Sequence, residues 1–116
     1  MILGTRHHTL RRYEGAVTYD ERGEPVYPSA VDGPLRASVQ PADGEALETL
    51  PEGERTSDAI LVMTRTPLRT GSQFEGTRAD EVIVDGVRYQ VRTVKRWPSV
   101  LPHYECVCTR VDEATP

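Results

Sequence analysis

Cysteine is scarce in this chain, and so are lysine and the aromatic residues. Cys106 and Cys108 are its only two thiols in 116 residues. On an extended strand, residues two apart face the same way, and the spacing of their Cβ atoms there does not suit a disulfide. A structural zinc site needs more ligands at paired spacings. The three histidines, His7, His8 and His103, do not supply them. His7 and His8 are adjacent, so on a strand they point to opposite faces and cannot chelate one ion together. The two cysteines are therefore expected to be small buried apolar side chains, and no metal or cofactor is expected.

Lys95 stands alone against thirteen arginines, a bias that reflects genome composition more than function. The formal charge of −4 makes tight, non-specific DNA binding a poor expectation for the domain as a whole, because such binding depends on neutralising phosphates. No apolar run exceeds Ala59–Met63, far short of the roughly 20 residues a membrane helix requires. Met1-Ile2-Leu3-Gly4 gives way to polar residues, so no signal-peptide core is read there and synthesis in the cytoplasm is expected. Enzyme motifs are missing too. There is no Gly-rich phosphate loop, no Gly-x-Ser-x-Gly elbow and no His-x-x-x-His spacing, so the expectation is that the protein is not an enzyme.

What is present reads as one domain with a lean core. Nine glycines and nine prolines punctuate short runs, as in an all-β protein. The strongest local signal is Val82-Ile83-Val84-Asp85-Gly86-Val87-Arg88-Tyr89-Gln90-Val91. Asp-Gly between alternating apolar residues predicts a two-residue hairpin whose central positions take positive φ. In that register Val84 pairs with Val87, Val82 with Tyr89, and Asp80 with Val91. Val82, Val84, Val87, Tyr89 and Val91 then share the inner face, and Glu81, Arg88, Gln90 and Arg92 share the outer one.

A phase shift between Val91 and Val94 predicts a bulge near Thr93. Leu35, Ala37 and Val39 alternate with polar residues, as do Tyr104, Cys106 and Cys108 with Glu105 and Thr109. Ala59–Met63 is apolar on both faces, so something must cover it twice: the short helix, the domain's own loops, or a neighbouring subunit. Asp43 is placed to cap a short helix reaching Leu50, with Leu47 and Leu50 on one face and Pro51 ending it. His8–Tyr13 and Val17–Tyr19 read as weak strands, and Asp20–Pro25 as a protruding turn. Trp97 before Pro98 reads as a core residue or a plug at the barrel end, with an interface anchor as the alternative, since Trp is enriched at binding hot spots. The acidic residues are expected mainly in turns and on solvent-facing strand positions.

These elements predict an all-β fold: a small antiparallel β-barrel or curled sheet of about six strands, with one short helix and long loops. Residues 1–34 are assigned to an N-terminal strand and a protruding hairpin, 35–111 to the barrel core and 112–116 to a tail. The segment Thr66–Ala79 is long, polar and without regular structure, and loops of that length are usually functional or disordered.

The order of these segments resembles a known family. Ser38-Val39-Gln40-Pro41 leads through a short helix into Leu50-Pro51-Glu52-Gly53-Glu54-Arg55, and then into Ala59-Ile60-Leu61-Val62-Met63. Gly76-Thr77-Arg78-Ala79-Asp80, Asp85–Val91, Trp97 and Tyr104 follow. In this order they resemble the head–tail joining proteins of tailed bacteriophages, of the head-closure or stopper type, over roughly residues 35–111. The resemblance implies a structural neck protein of the virion, made in the bacterial cytoplasm. Its copies would form a twelve-fold or six-fold homo-oligomeric ring, with a portal or adaptor above, a tail protein below and packaged DNA passing through unread.

Within that implied role, Thr66, Arg69, Phe74, Glu75 and Arg78 are candidates for a channel or partner loop. Leu50, Glu52, Glu54, Arg55, Arg88 and Arg92 are candidates for inter-subunit or partner contacts. A net negative charge would suit a wall past which DNA slides. Two other readings remain: a different neck role such as a tail-completion or adaptor ring, and a monomeric OB-like barrel binding single-stranded nucleic acid or an oligosaccharide. The second needs aromatic stacking platforms and a basic groove.

Overall fold

The protein is described here by a computed structural model covering residues 4–55, 58–72, 76–98 and 100–112. Its centre is a closed barrel of six antiparallel strands: β1 (Arg6–Tyr13), β4 (Ala30–Pro41), β5 (Ile60–Thr64), β8 (His103–Arg110), β7 (Val87–Trp97) and β6 (Glu81–Val84), in that spatial order. A two-stranded hairpin of β2 (Thr18–Tyr19) and β3 (Pro25–Val26) stands apart on the β1–β4 connection. One helix, α1 (Gly44–Glu48), and a 3-10 turn at Glu52–Glu54 join β4 to β5. The all-β expectation holds. The barrel starts earlier than expected, however, because β1 pairs with β4 over its whole length and with β6, closing the cylinder from Arg6 onward.

The hairpin has the expected register, with Val84 opposite Val87 and Val82 opposite Tyr89, and the Val91 amide donates to the Asp80 carbonyl at 3.0 Å. Asp85 and Gly86 both take positive φ, 51° and 82°, as a two-residue turn matched to strand twist requires. Opposite β8, Val91 faces Cys108 and Thr93 faces Val107, so Arg92 is the extra residue of a bulge. That bulge gives β7 the bend a six-stranded closure needs.

Two apolar clusters meet at β5. Ile60 and Val62 face the barrel interior with Leu35, Ala37, Val82, Val91, Cys106 and Cys108. On the outer side Ala59, Ala42, Leu50 and Val107 pack together, with Leu47 and Leu61 against them. Within the chain, α1 and the residues after it therefore provide the second cover over β5. Asp43 occupies the N-cap position but makes no side-chain cap hydrogen bond, so packing of Leu47 and Leu50 holds this one-turn helix in place. Both cysteines are buried and unbridged. Burial pushes the Cys106 thiol up to about 12, and Cys108 well above its ordinary value, as loss of water does to a group that would ionise to an anion.

Because every barrel pairing is antiparallel, β1, β5 and β7 all finish at one end. That end carries the three longer connections without helix: 14–29 with the β2–β3 hairpin, 65–80, and 98–102. The opposite end carries the helical connection and the Asp85–Gly86 turn. These are called the loop end and the helix end below.

Candidate functional site

The loop end is built around two buried carboxylates, Asp80 and Glu81, the second of which sequence reasoning placed on the outer face. Asp80 is 1 % exposed and Glu81 is 2 % exposed. Burying a charge is tolerable only where it is paired and hydrogen-bonded, and both are. Arg12 grips Asp80 with two bonds, Nε to Oδ1 at 3.1 Å and a terminal nitrogen to Oδ2 at 2.8 Å, and also donates to the Pro67 carbonyl at 2.9 Å. The Arg69 amide donates to Asp80 Oδ2 at 2.8 Å. On the outer side of β6, Arg88 grips Glu81 with two bonds of 2.9 Å. Arg78 reaches the same carboxylate at 3.3 Å.

Tyr13 lies over this second pair. The Arg78 guanidinium sits 4.0 Å from its ring centroid and 5.1 Å from that of Tyr27, within the range of a cation–π contact. Burial first, and the Glu81 charge second, push the Tyr13 phenol up. The hydrogen bonds that Arg88 and Arg12 donate to Glu81 and Asp80 hold both guanidiniums above their already high values.

The signal for this network was present in the chain. Asp80 falls in phase with Val82 and Val84, an inward position. Arg12 falls in phase with Leu10, which packs on the interior cluster.

The network fixes the described part of the long loop, which the sequence reads as polar and without regular structure. Leu68 is buried in the interior cluster, and Ala79 is buried as well. Asp80 bonds Arg69 at both backbone and carboxylate. Ser72 and Thr77 exchange backbone hydrogen bonds of 3.1 and 3.0 Å, and the Val17 amide donates to the Gly76 carbonyl at 2.8 Å. Gly71 is required where the two halves cross, since a Cβ there would lie 2.9 Å from both the Ala79 nitrogen and the Thr77 oxygen. Of the proposed loop residues, Thr66 bonds its amide to Thr64 Oγ1, Arg69 projects outward and Arg78 is half-buried in the network. Phe74 and Glu75 lie outside the described residues.

The proposed contact residues divide differently. Leu50 is buried in the outer cluster, so it packs the domain and is not on its surface. Arg55 turns back onto α1, donating to the Leu50 and Glu48 carbonyls at 3.0 and 3.4 Å, which satisfies acceptors a helix end leaves open. Glu54 pairs with Arg92, Arg88 with Glu81, and Glu52 is exposed. Trp97 is neither core nor plug. It is 39 % exposed, stacked on His103 at 6.4 Å between centroids, with the Lys95 ammonium 4.4 Å from its ring centroid.

The clefts at the two ends differ in the charged side chains that line them. Three clefts open at the loop end. One of about 350 Å³ is lined by Arg65, Arg96, Val100, Leu101, Pro102, His103 and Tyr104. A second, of about 450 Å³, includes Arg69, Arg78 and Val94, and a third, of about 810 Å³, includes Arg78 and Arg92. None of the three is lined by a carboxylate among the described residues. The helical connection is the reverse, with Asp43, Glu45, Glu48, Glu52, Glu54 and Asp58 against Arg55 alone. The cleft beside α1 is lined by Asp43, Glu45 and Glu105 with only Lys95 opposing them.

Among the described residues no three His, Cys, Asp or Glu side chains gather into a group that could hold a metal ion. No protein-family profile matches the chain, and no curated protein matches it.

Proposed function

We propose that this protein is a structural component of a tailed-phage neck, assembling as a homo-oligomeric ring that closes the filled head and joins it to the tail. The observation that carries the reading is where the family-like residues fall in the barrel. Leu50-Pro51-Glu52-Gly53-Glu54-Arg55 forms the end of the helical connection, closed by Arg55 on α1. Gly76–Asp80 forms the pinned return of the long loop, and Asp85–Gly86 forms the hairpin turn. The remaining residues of the resemblance lie on strands β4, β5, β7 and β8, so together they supply turns and strands of one closed barrel.

A ring also needs two different faces on each protomer, since one face must complement another on the next copy. A barrel with an arginine-lined end and a carboxylate-rich helical side has them. The test is deletion of this reading frame from the phage genome that carries it. The expected result is heads that package DNA and then lose it, alongside unjoined tails, with recovery when the protein is supplied in trans. Normal virion yield from the deleted phage would overturn the reading.

A further inference from the structure

We propose that copies of this protein join head to tail, with the β2–β3 arm of one copy seated in the cleft at the β7–β8 corner of the next. This deepens the neck reading by naming the two surfaces that meet, and it rests on that reading only for closure of the copies into a ring.

Among the described residues, the exposed large apolar side chains fall in two places. Tyr19, Val26, Tyr27 and Val31 lie on the arm and where it returns into β4, and Tyr19 is 71 % exposed. Trp97, Val100 and Leu101 lie at the β7–β8 corner, and Val100 is 98 % exposed. Apolar side chains grouped on a surface in this way mark a contact with another macromolecule. The helical connection is not such a place, because Leu47 and Leu50 pack inward over β5.

Charge matches the two patches to each other. The connection that carries the arm holds Glu14, Asp20, Glu21 and Glu24 against Arg22 alone, and all five are exposed. The corner cleft sets Arg65, Arg96 and His103 beside Val100, Leu101 and Tyr104, and no carboxylate lines it. Glu105 of β8 opens instead onto the cleft beside α1. Neither Arg65 nor Arg96 has an ionic partner among the described residues. A guanidinium stacks on an aromatic face as well as pairing with a carboxylate, and the arm offers both in Tyr19 and its acidic tip.

Strand order makes the occupant a second copy. The arm is rooted between β1 and β4 and the corner between β8 and β7, with β5 separating the roots on one side and β6 on the other. No residue of the arm lines the corner cleft. On its inner side the arm borders the larger cleft, where Arg78 and Arg92 are already held by Glu81 and Glu54. Two complementary patches rooted on opposite sides of one barrel give a heterologous contact, which repeats from copy to copy. The arm is also shaped in advance. Asp20 Oδ1 accepts hydrogen bonds of 2.9 Å from the Arg22 and Glu24 amides, which leaves the Glu21 and Glu24 carboxylates for the partner. A tip fixed before binding loses less freedom on binding.

The experiment is sedimentation velocity of the intact protein at low salt, from about 5 to 500 µM, where mass action reveals association. Mass should rise with concentration past that of a dimer, and the association should weaken as salt is added. Glu21→Arg with Glu24→Arg on the arm, and Arg65→Glu with Arg96→Glu at the corner, should each lower association roughly tenfold or more, because like charges then meet. Mixed in equal amounts, the two variants should associate again, since each reversed arm then meets a reversed corner and each native arm a native corner. Tyr19→Ser, which alters no charge, should weaken association as well, and Glu45→Gln with Glu48→Gln on the helical connection should leave it unchanged. A chain still monomeric at about 500 µM would overturn the proposal and leave the two patches to a different partner. So would assembly that stops at the dimer, association indifferent to the arm and corner changes, or reversed variants, each folded by circular dichroism, that stay monomeric on mixing. If the contact fails in one of these ways while the deleted phage still loses its DNA, the neck reading stands and its copies meet elsewhere.

Discussion

The loop end and the helical connection both carry many charges, yet only one of them is held together by charge. At the loop end two carboxylates, Asp80 and Glu81, are inside and arginines from β1, β7 and the loop converge on them. At the helical connection the carboxylates are mainly outside, and Leu50, Ala59 and Val107 do the holding. The difference follows from what each segment had available. The helical connection has two leucines three residues apart and can cover β5 with them. Among its described residues the stretch from Thr66 to Ala79 buries Leu68 and Ala79, and Asp80 anchors it. A buried ion pair is weak evidence for net stability against an apolar alternative, but breaking one half of it is costly. The loop end is therefore the more brittle of the two.

The sharpest way to break this comparison is Asp80→Ala. It leaves the Arg12 guanidinium facing a pocket without its counter-charge and strips the Arg69 amide of its acceptor. A loss of about 3–5 kcal/mol is expected, the size measured when one partner of a buried pair is removed. Chemical denaturation of wild type and variant checks it, and a loss below about 1 kcal/mol would show that the pair does not anchor the loop. On the other side, Leu50→Ala should cost about 2–4 kcal/mol by leaving a cavity under α1. The same denaturation measurement reads it. The signature that separates the two is salt: raising ionic strength should leave the Leu50→Ala deficit in place, because its origin is packing.

Much of the barrel was legible because hairpin chemistry is local. Asp85–Gly86 sets its own turn, the alternation from Val82 to Val91 sets the faces, and the phase slip at Val94 marks the bulge at Arg92. The two-faced strand at Ala59–Met63 announced a second cover, and α1 supplies it within the chain. At the loop end the inward phase of Asp80 was legible but its pairing was not, for a physical reason. Charged residues read as solvent-facing unless their partners are known, and the partners of Asp80 and Glu81 come from Arg12, far earlier in the chain, and from Arg88 across the turn. Trp97 was misread for a related reason. A large ring suggests burial, but its faces here are served by His103 and Lys95 at the surface. Of the candidate contact residues five are charged, and four of these, Glu54, Arg55, Arg88 and Arg92, bond within the domain.

The smallest expected effect sharpens the comparison most. If the helical connection is held by packing, its exposed carboxylates contribute little to the fold, and Glu45→Gln with Glu48→Gln should change stability by no more than about 0.5 kcal/mol. Neither side chain is buried, and neither has a partner among the ion pairs of the described residues. Glu48 contributes only its backbone carbonyl, to Arg55, and a Gln there keeps that bond. Six carboxylates close in sequence repel one another, so removing two could even raise stability slightly at low salt, where screening is weak. Thermal denaturation at low and high salt measures both features at once. A loss above about 1 kcal/mol would mean these carboxylates are tied into the fold as Asp80 and Glu81 are, and the contrast between the two ends would fail.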